Sequence, residues 1–376
     1  MKFTCLRENL AKSLSVVSKA IPIKSTFPIL SNVLISTHNG RIKLSATNTS
    51  TSITTYVGAS IEEEGTITIP AKMLAEFISN LSSETVSAVL ENNVLQVNAG
   101  RTKSKFNGVP SDDFPPLPEL KNEYLSMELD QKVFSNAVMQ VGFSVALDDS
   151  RPVFTGIMMS YSDGKLTLVS TDGYRLSERI VSLEPVLAKE SREFSVVIPA
   201  KTLVEVARTF ASSEENIKVY VDEDESLCIF ESGDTVISTR LLESSFPDYK
   251  AAIPQAGVVT ANFASSDLLE AVKLTSVFVK GGSSGALKIA VDPETSLLSV
   301  SSAEAEFGHN DTSIPAEIQG ESIELFFNFK YLLDFLNNIK YEKLTLVATG
   351  PDSACVLRSD EDSEFIYVMV PLQLNS

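Results

Sequence analysis

Three stretches of this chain repeat one another at a fixed interval. Thr68–Leu81 (TIPAKMLAEFISNL), Val197–Phe210 (VIPAKTLVEVARTF) and Phe326–Ile339 (FFNFKYLLDFLNNI) each pass from a short apolar lead-in through a lysine into a helical pattern, with an acid four residues on. The lysines, Lys72, Lys201 and Lys330, stand 129 residues apart both times. A solenoid repeats every 20–50 residues or so; a period this long has the size of an ordinary domain. Three similar domains in a row account for the 376 residues.

The surroundings of each lysine repeat as well. A strand and a helix-like stretch open each unit, the latter at Glu8–Ala20, Gln131–Val145 and Ser265–Lys280; Leu10, Leu14 and Val17 of the first share one helical face. Alternating runs follow each lysine helix, at Val86–Val89, Ile217–Val221 and Leu344–Val347, with returns at Val94–Val97, Leu227–Phe230 and Ala354–Leu357. Phe114-Pro-Pro-Leu-Pro118 and Phe246-Pro-Asp-Tyr249 end the first two units, where proline stops strand pairing. These signals predict an α+β fold of three repeated domains, each with two helices packed on antiparallel sheets, at 1–121, 122–255 and 256–376.

Composition excludes several classes. No apolar run reaches the length of a membrane span, and the start MKFTCLRENLAKSL places charges where an export signal needs an apolar stretch, so a cytoplasmic protein is expected. Cys5, Cys228 and Cys355 are too scattered for a disulfide framework or a zinc site and read as small buried hydrophobes. With two histidines, His38 and His309, no glycine-rich phosphate loop and no metal-ligand spacing, neither catalysis nor a metal or cofactor is expected. An acid–base group at Asp172, Tyr174 and Arg175 has nothing further to support it, and an adhesive repeat protein would carry an export signal.

Similar domains with similar junctions curve, and two such chains whose head and tail fit close into a ring of six domains. The net charge of −18 taken alone argues against a nucleic-acid partner. Yet the six helical stretches, with the last extended by one residue to Lys340, carry ten basic against six acidic side chains, so the excess of acid lies elsewhere in the chain. A mildly basic helical lining inside an acidic shell suits loose, sequence-independent contact with a phosphate backbone.

Several segments then resemble one family. Ser170-Thr-Asp-Gly-Tyr-Arg-Leu176 is similar to the Thr-Asp-Gly-His-Arg-Leu signature of bacterial DNA sliding clamps, the β subunits of the replicative polymerase. Phe246-Pro-Asp-Tyr249, Tyr367-Val-Met-Val-Pro-Leu372, Met1-Lys-Phe-Thr4 and Phe27-Pro-Ile-Leu30 also match, in order and along essentially the whole chain. The resemblance implies a head-to-tail homodimer that encircles duplex DNA, is placed there by a clamp loader, and tethers the polymerase III catalytic subunit and other proteins. Those partners insert short linear peptides into a cleft between the second and third domains.

Carried over by position, the cleft comprises Phe154, Thr171, Gly173, Tyr174, Arg175, Leu176, Pro247, Asn328, Tyr331, Val368, Met369, Val370, Pro371 and Leu372. Lys24, Lys72, Lys201 and Lys330 would face DNA, and Phe106, Val277 and Phe278 would meet between subunits. The chain departs from the family at Tyr174 (commonly histidine), Ala251 (often arginine), Gly108 (a larger apolar residue) and Gln373 (arginine), and Asn375-Ser376 extend past the usual end.

Overall fold

The structure is a computed structural model and describes residues 1–24, 27–120, 125–183, 192–254, 257–279, 285–302 and 308–373. The expected boundaries at 121/122 and 255/256, Lys280, and Asn375-Ser376 lie outside the described residues.

One order of elements runs three times. The first repeat is β1 (Lys2–Leu6), α1 (Arg7–Val17), β2 (Asn32–His38), β3 (Arg41–Thr47), β4 (Thr51–Glu63), β5 (Thr66–Pro70), α2 (Ala71–Ser79), β6 (Thr85–Glu91), β7 (Val94–Ala99) and β8 (Thr102–Asn107). The second is β9 (Leu125–Leu129), α3 (Gln131–Val141), β10 (Gly156–Ser162), β11 (Lys165–Thr171), β12 (Arg175–Ser182), β13 (Phe194–Pro199), α4 (Ala200–Phe210), β14 (Ile217–Asp222), β15 (Leu227–Ser232) and β16 (Thr235–Arg240). The third is β17 (Val259–Ala264), α5 (Ser265–Val279), β18 (Ala286–Asp292), β19 (Leu297–Ser302), β20 (Asp311–Pro315), β21 (Glu317–Gly320), β22 (Ile323–Asn328), α6 (Phe329–Asn338), β23 (Lys343–Ala348), β24 (Cys355–Ser359) and β25 (Asp362–Met369). The continuous β4 of the first repeat is answered in the third by two strands, β20 and β21, interrupted at Pro315-Ala316.

Local chemistry explains the elements. Asn39-Gly40 and Asp163-Gly164 all have positive φ, as the two-residue hairpins β2–β3 and β10–β11 require. Helices bury one stripe each: Leu10, Leu14 and Val17 in α1, Ala71, Leu74 and Ile78 in α2, and Phe329, Leu332, Phe335 and Leu336 in α6. In β7 and β17 alternate residues are buried, as expected of strands with one face on a core. All three cysteines are buried free thiols, and burial pushes Cys5 up to about 11 and Cys355 up to about 12, so they act as small hydrophobes.

The chain forms two compact units, and these do not follow the repeats. One holds residues 1–132, 190–192 and 205–241, the other 133–189, 193–204 and 242–376. The reason is that hydrogen-bonded ladders run on from repeat to repeat. In the first unit a twelve-stranded sheet is ordered β8-β7-β6-β1-β4-β16-β15-β14-β9, with β3, β2 and β5 branching from β4; its β4–β16 ladder joins repeat one to repeat two. In the second unit a nine-stranded sheet is ordered β13-β10-β11-β12-β25-β24-β23-β17-β21, and β12–β25 joins repeat two to repeat three. A four-stranded sheet, β20-β19-β18-β22, completes that unit. Helix α1 packs on α2, and α5 on α6.

Among the described residues no helix is long and apolar enough to cross a membrane, and no cluster of His, Cys, Asp and Glu could hold a metal ion.

Candidate partner groove and DNA-facing lysines

The loop from Thr171 to Arg175 is built by its own side chains. Thr171 Oγ1 donates to the Arg175 carbonyl (2.6 Å) and accepts from the Gly173 amide (3.0 Å). Asp172 Oδ1 accepts from the amides of Tyr174 (2.9 Å) and Arg175 (3.0 Å). Gly173 has φ +93°, and a Cβ there would stand 2.6 Å from Arg151 Nη2. That nitrogen donates to the Asp172 carbonyl (2.9 Å), and the Arg151 guanidinium lies 4.5 Å above the Phe154 ring. Glycine is therefore favoured here by backbone conformation, while the nearby guanidinium, at the end of a flexible side chain, could move aside.

Strand alternation then divides the expected cleft residues between two faces. Leu176 pairs with Val368 in the β12–β25 ladder, and the two share an apolar cluster with Val169, Tyr249 and Val356, flanked by Met158, Phe246 and Ile366. Phe154 stacks edge-on toward Phe246 (6.4 Å), which in turn meets Tyr249 (6.3 Å). The Tyr249 hydroxyl donates to Glu178, and burial, then that carboxylate, raises its pKa. Tyr174 (58 % exposed) and Val370 (40 % exposed) rim this patch; the Val370 amide donates to the Tyr174 carbonyl (2.9 Å). Pro247 is exposed, Pro371 is buried and Leu372 is partly buried, its amide bonded to the Phe326 carbonyl.

Arg175 and Met369 face the other way. Met369 belongs to the core of the third repeat. Arg175 is buried, donating to Asp172 Oδ2 (3.0 Å) and Asp334 Oδ2 (2.6 Å), with its guanidinium 4.5 Å from the Tyr331 ring centroid. Burial opposes its charge, but Tyr367, Asp334 and Asp172 more than offset that, and its pKa is raised. Asn328 caps α6 by accepting from the Lys330 amide (3.0 Å). The structure thus brings Phe154, Leu176, Val368, Tyr174 and Val370 to one patch, whereas Arg175, Met369, Asn328 and Tyr331 sit on the α6 side. Val169, Phe246, Tyr249 and Val356 were not singled out from sequence. Alternation along β11 and β24 would have found Val169 and Val356, and the Phe-Pro-Asp-Tyr segment contained the other two.

Lys72, Lys201 and Lys330 are each the second residue of a helix, α2, α4 and α6, and all three are exposed, as is Lys24. The acids four residues on have partners in the neighbouring repeat: Glu205 takes Lys19 (2.6 Å) and Asp334 takes Arg175. Phe106 is only 5 % exposed and packs edge-on against Phe77 (5.2 Å), so its side chain is part of its own domain's core. Val277 is 66 % exposed and Phe278 partly buried. At Gly108 a Cβ would come within 2.5 Å of Ile67 Cγ1, which accounts for glycine at that departure from the family pattern.

Comparison with known proteins agrees with this architecture. Models of the N-terminal, central and C-terminal domains of the DNA polymerase III beta subunit match residues 1–118, 128–248 and 250–373. The beta sliding clamp of Synechococcus elongatus is 28% identical over 382 residues, covering 100% of both chains, and that of Bacillus subtilis is 26% identical over 99% of this chain and 100% of its own. Among solved structures, a DNA polymerase sliding clamp from Bacillus subtilis superposes with a TM-score of 0.94 at 24% identity, and a putative DNA polymerase III beta subunit from Eubacterium rectale with 0.91 at 26%, each over the full length of both chains. A Pseudomonas aeruginosa sliding clamp bound to griselimycin matches with a TM-score of 0.91 at 24% identity. With three family models spanning nearly all of it in order, the chain belongs to the DNA polymerase III beta subunit family, the beta sliding clamps.

Proposed function

We propose that this chain is the replication processivity clamp and that it holds DNA by topology rather than by adhesion. Two copies close head to tail into a six-domain ring around duplex DNA, slide without sequence preference, and tether the polymerase III catalytic subunit, the clamp loader and other proteins through short peptides. One observation carries this reading. β8 and β20 end their sheets, while the strands in the same place in the other repeats, β16 and β25 for β8, β4 and β12 for β20, are paired with each other inside the chain. A second copy offers the missing partner at both ends.

We divide the chain into domains at 121/122 and 255/256 and place it in the cytoplasm, with no catalytic activity of its own. The groove for partner peptides is the apolar patch of Leu176, Val368, Tyr249 and Val356, reached past Tyr174, Phe154, Pro247 and Val370. Arg175, Asn328, Tyr331, Met369, Pro371, Leu372, Thr171 and Gly173 shape it from behind. Lys24, Lys72, Lys201 and Lys330 face DNA, and Val277 and Phe278 meet β8 of the other copy, with Phe106 beneath.

Retention on nicked circular DNA, measured after loading and again after linearisation, tests the reading. Loss on linearisation is expected. Equal retention on both forms would mean ordinary surface binding and would overturn it.

A further inference from the structure

One cross-strand row sets the second internal junction apart from the first. In the nine-stranded sheet Val197, Met158, Val169, Glu178 and Ile366 stand directly opposite one another on β13, β10, β11, β12 and β25. Every member but Glu178 is apolar. The corresponding row at the first junction, on β5, β2, β3, β4 and β16, reads Thr68, Leu34, Ser45, Thr54 and Val236, with no charge in it. Its hydroxyls satisfy one another or the backbone: Ser45 and Thr54 share a hydrogen bond of 2.9 Å, and Thr68 donates to the Val109 carbonyl (2.8 Å).

Glu178 lies on the groove face. It follows Leu176 by two residues on β12, which puts it about 7 Å along the strand from the Leu176–Val368 pair. Its neighbours across the strands, Val169 and Ile366, belong to the same apolar patch. The side chain is partly buried, and its hydrogen-bond partner among the described residues is the Tyr249 hydroxyl, which donates to Oε2.

Carboxylates on the other face of this junction are treated differently. Arg175 holds both Asp172 and Asp334, and Asp362 accepts from Arg179 and from the Tyr341 hydroxyl (2.8 Å). Each of those acids has a guanidinium. Glu178 has a phenol, which supplies one hydrogen bond and no charge. A carboxylate partly withdrawn from water among apolar side chains is costly unless a cation meets it. The segment that carries Tyr249 does not provide one: Asp248 adds negative charge beside the ring, and Lys250 is exposed.

Resting on the groove reading above, we infer that Glu178 is a specificity residue of the groove. It selects partner peptides that carry a lysine or arginine within about two residues of the apolar side chain seated on Leu176 and Val368. The peptide's cation brings the charge that Tyr249 lacks, while Tyr249 holds the carboxylate in place. A peptide without a cation would instead cover the carboxylate with apolar surface and leave its charge unmatched.

Random heptapeptides displayed on phage and selected against the full chain test this, with Glu178→Gln selected in parallel. Glutamine keeps an oxygen that accepts from Tyr249, so the groove keeps its shape and loses only the charge. Peptides that lose binding to Tyr174→Ala/Val370→Ala are groove peptides, and both replaced side chains are exposed on the rim, so the fold is left intact. Among them lysine and arginine should be enriched about 3-fold or more over the starting library on the parent, and not on Glu178→Gln. For one such peptide made synthetically, replacing its cation by glutamine should weaken binding to the parent about 10-fold and to Glu178→Gln less than about 2-fold, read by fluorescence anisotropy. A merely structural Glu178 would shift both peptides together and leave their ratio alone. Equal cation content on the two chains, or an unchanged ratio, would overturn the role of Glu178 and leave the groove standing. Selection that yields no peptide sensitive to Tyr174→Ala/Val370→Ala would overturn the groove reading itself.

Discussion

Arg175 shows what a single residue does in this fold. Its guanidinium turns away from the Leu176–Val368 apolar patch, holds Asp172 in the Thr171–Arg175 loop, and reaches Asp334 on α6. Asp334 is 44% exposed on its side chain, so Asp334→Asn loses a solvent-screened pair and costs only about 1 kcal/mol. Arg175→Ala costs more, about 3 kcal/mol, because it also strands the largely buried Asp172 carboxylate. Urea unfolding midpoints of the two variants should fall in that order. Gly173→Ala costs about 1–3 kcal/mol for placing a side chain at φ +93°. The clash with Arg151 adds little, since a guanidinium at the end of a flexible chain can swing aside.

Elements show which parts of the structure are legible in sequence. The Lys72, Lys201 and Lys330 repeat locates three helices, each starting one residue before its lysine, because an apolar stripe at helical spacing leaves a mark in sequence. Pairing between repeats leaves none: a period says where units begin, not which edges join, so the β4–β16 and β12–β25 ladders emerge only in three dimensions. Nor does a family motif say which way a side chain turns, and Val368 and Met369 point to opposite faces simply because a strand alternates. At the start of α6, Asn328→Ala should cost about 1 kcal/mol by uncapping the helix, while Asn328→Ser keeps an acceptor and most of the stability. Thermal denaturation of the pair separates capping from any part Asn328 has in the groove.

At the scale of the molecule, buried thiols and phenols set the alkaline limit of folding stability. Burial is the first cause holding the thiols of Cys5, Cys228 and Cys355 and the phenols of Tyr220, Tyr249, Tyr341 and Tyr367 above their ordinary values. A raised acid of this kind contributes stability that is fully present below its unfolded pKa and is lost as pH rises toward the folded one. The unfolded values are about 8.5 for cysteine and 10 for tyrosine. Stability should therefore decline from roughly pH 9 upward, first through the thiols and then the phenols. Tyr249→Phe should flatten the upper part of that decline, as seen in urea midpoints taken between pH 7.5 and 11.

Net charge and function are reconciled at the same scale. A protein that held DNA by neutralising six to ten phosphates would lose about 10³–10⁵ in affinity between 50 and 200 mM salt. A chain of net charge −18 with scattered exposed lysines is poorly built for such a bond, but a closed ring has no need of one. The lifetime of the loaded clamp on circular DNA should then change less than about 10-fold over that salt range. On the proposal that these lysines guide DNA into the ring and its closure keeps it there, replacing Lys24, Lys72, Lys201 and Lys330 together by alanine should slow loading while leaving that lifetime nearly unaltered. If instead the lifetime collapsed with salt, and collapsed further in the quadruple variant, lysine–phosphate contacts would be holding the DNA, and retention by topology would be wrong for this clamp.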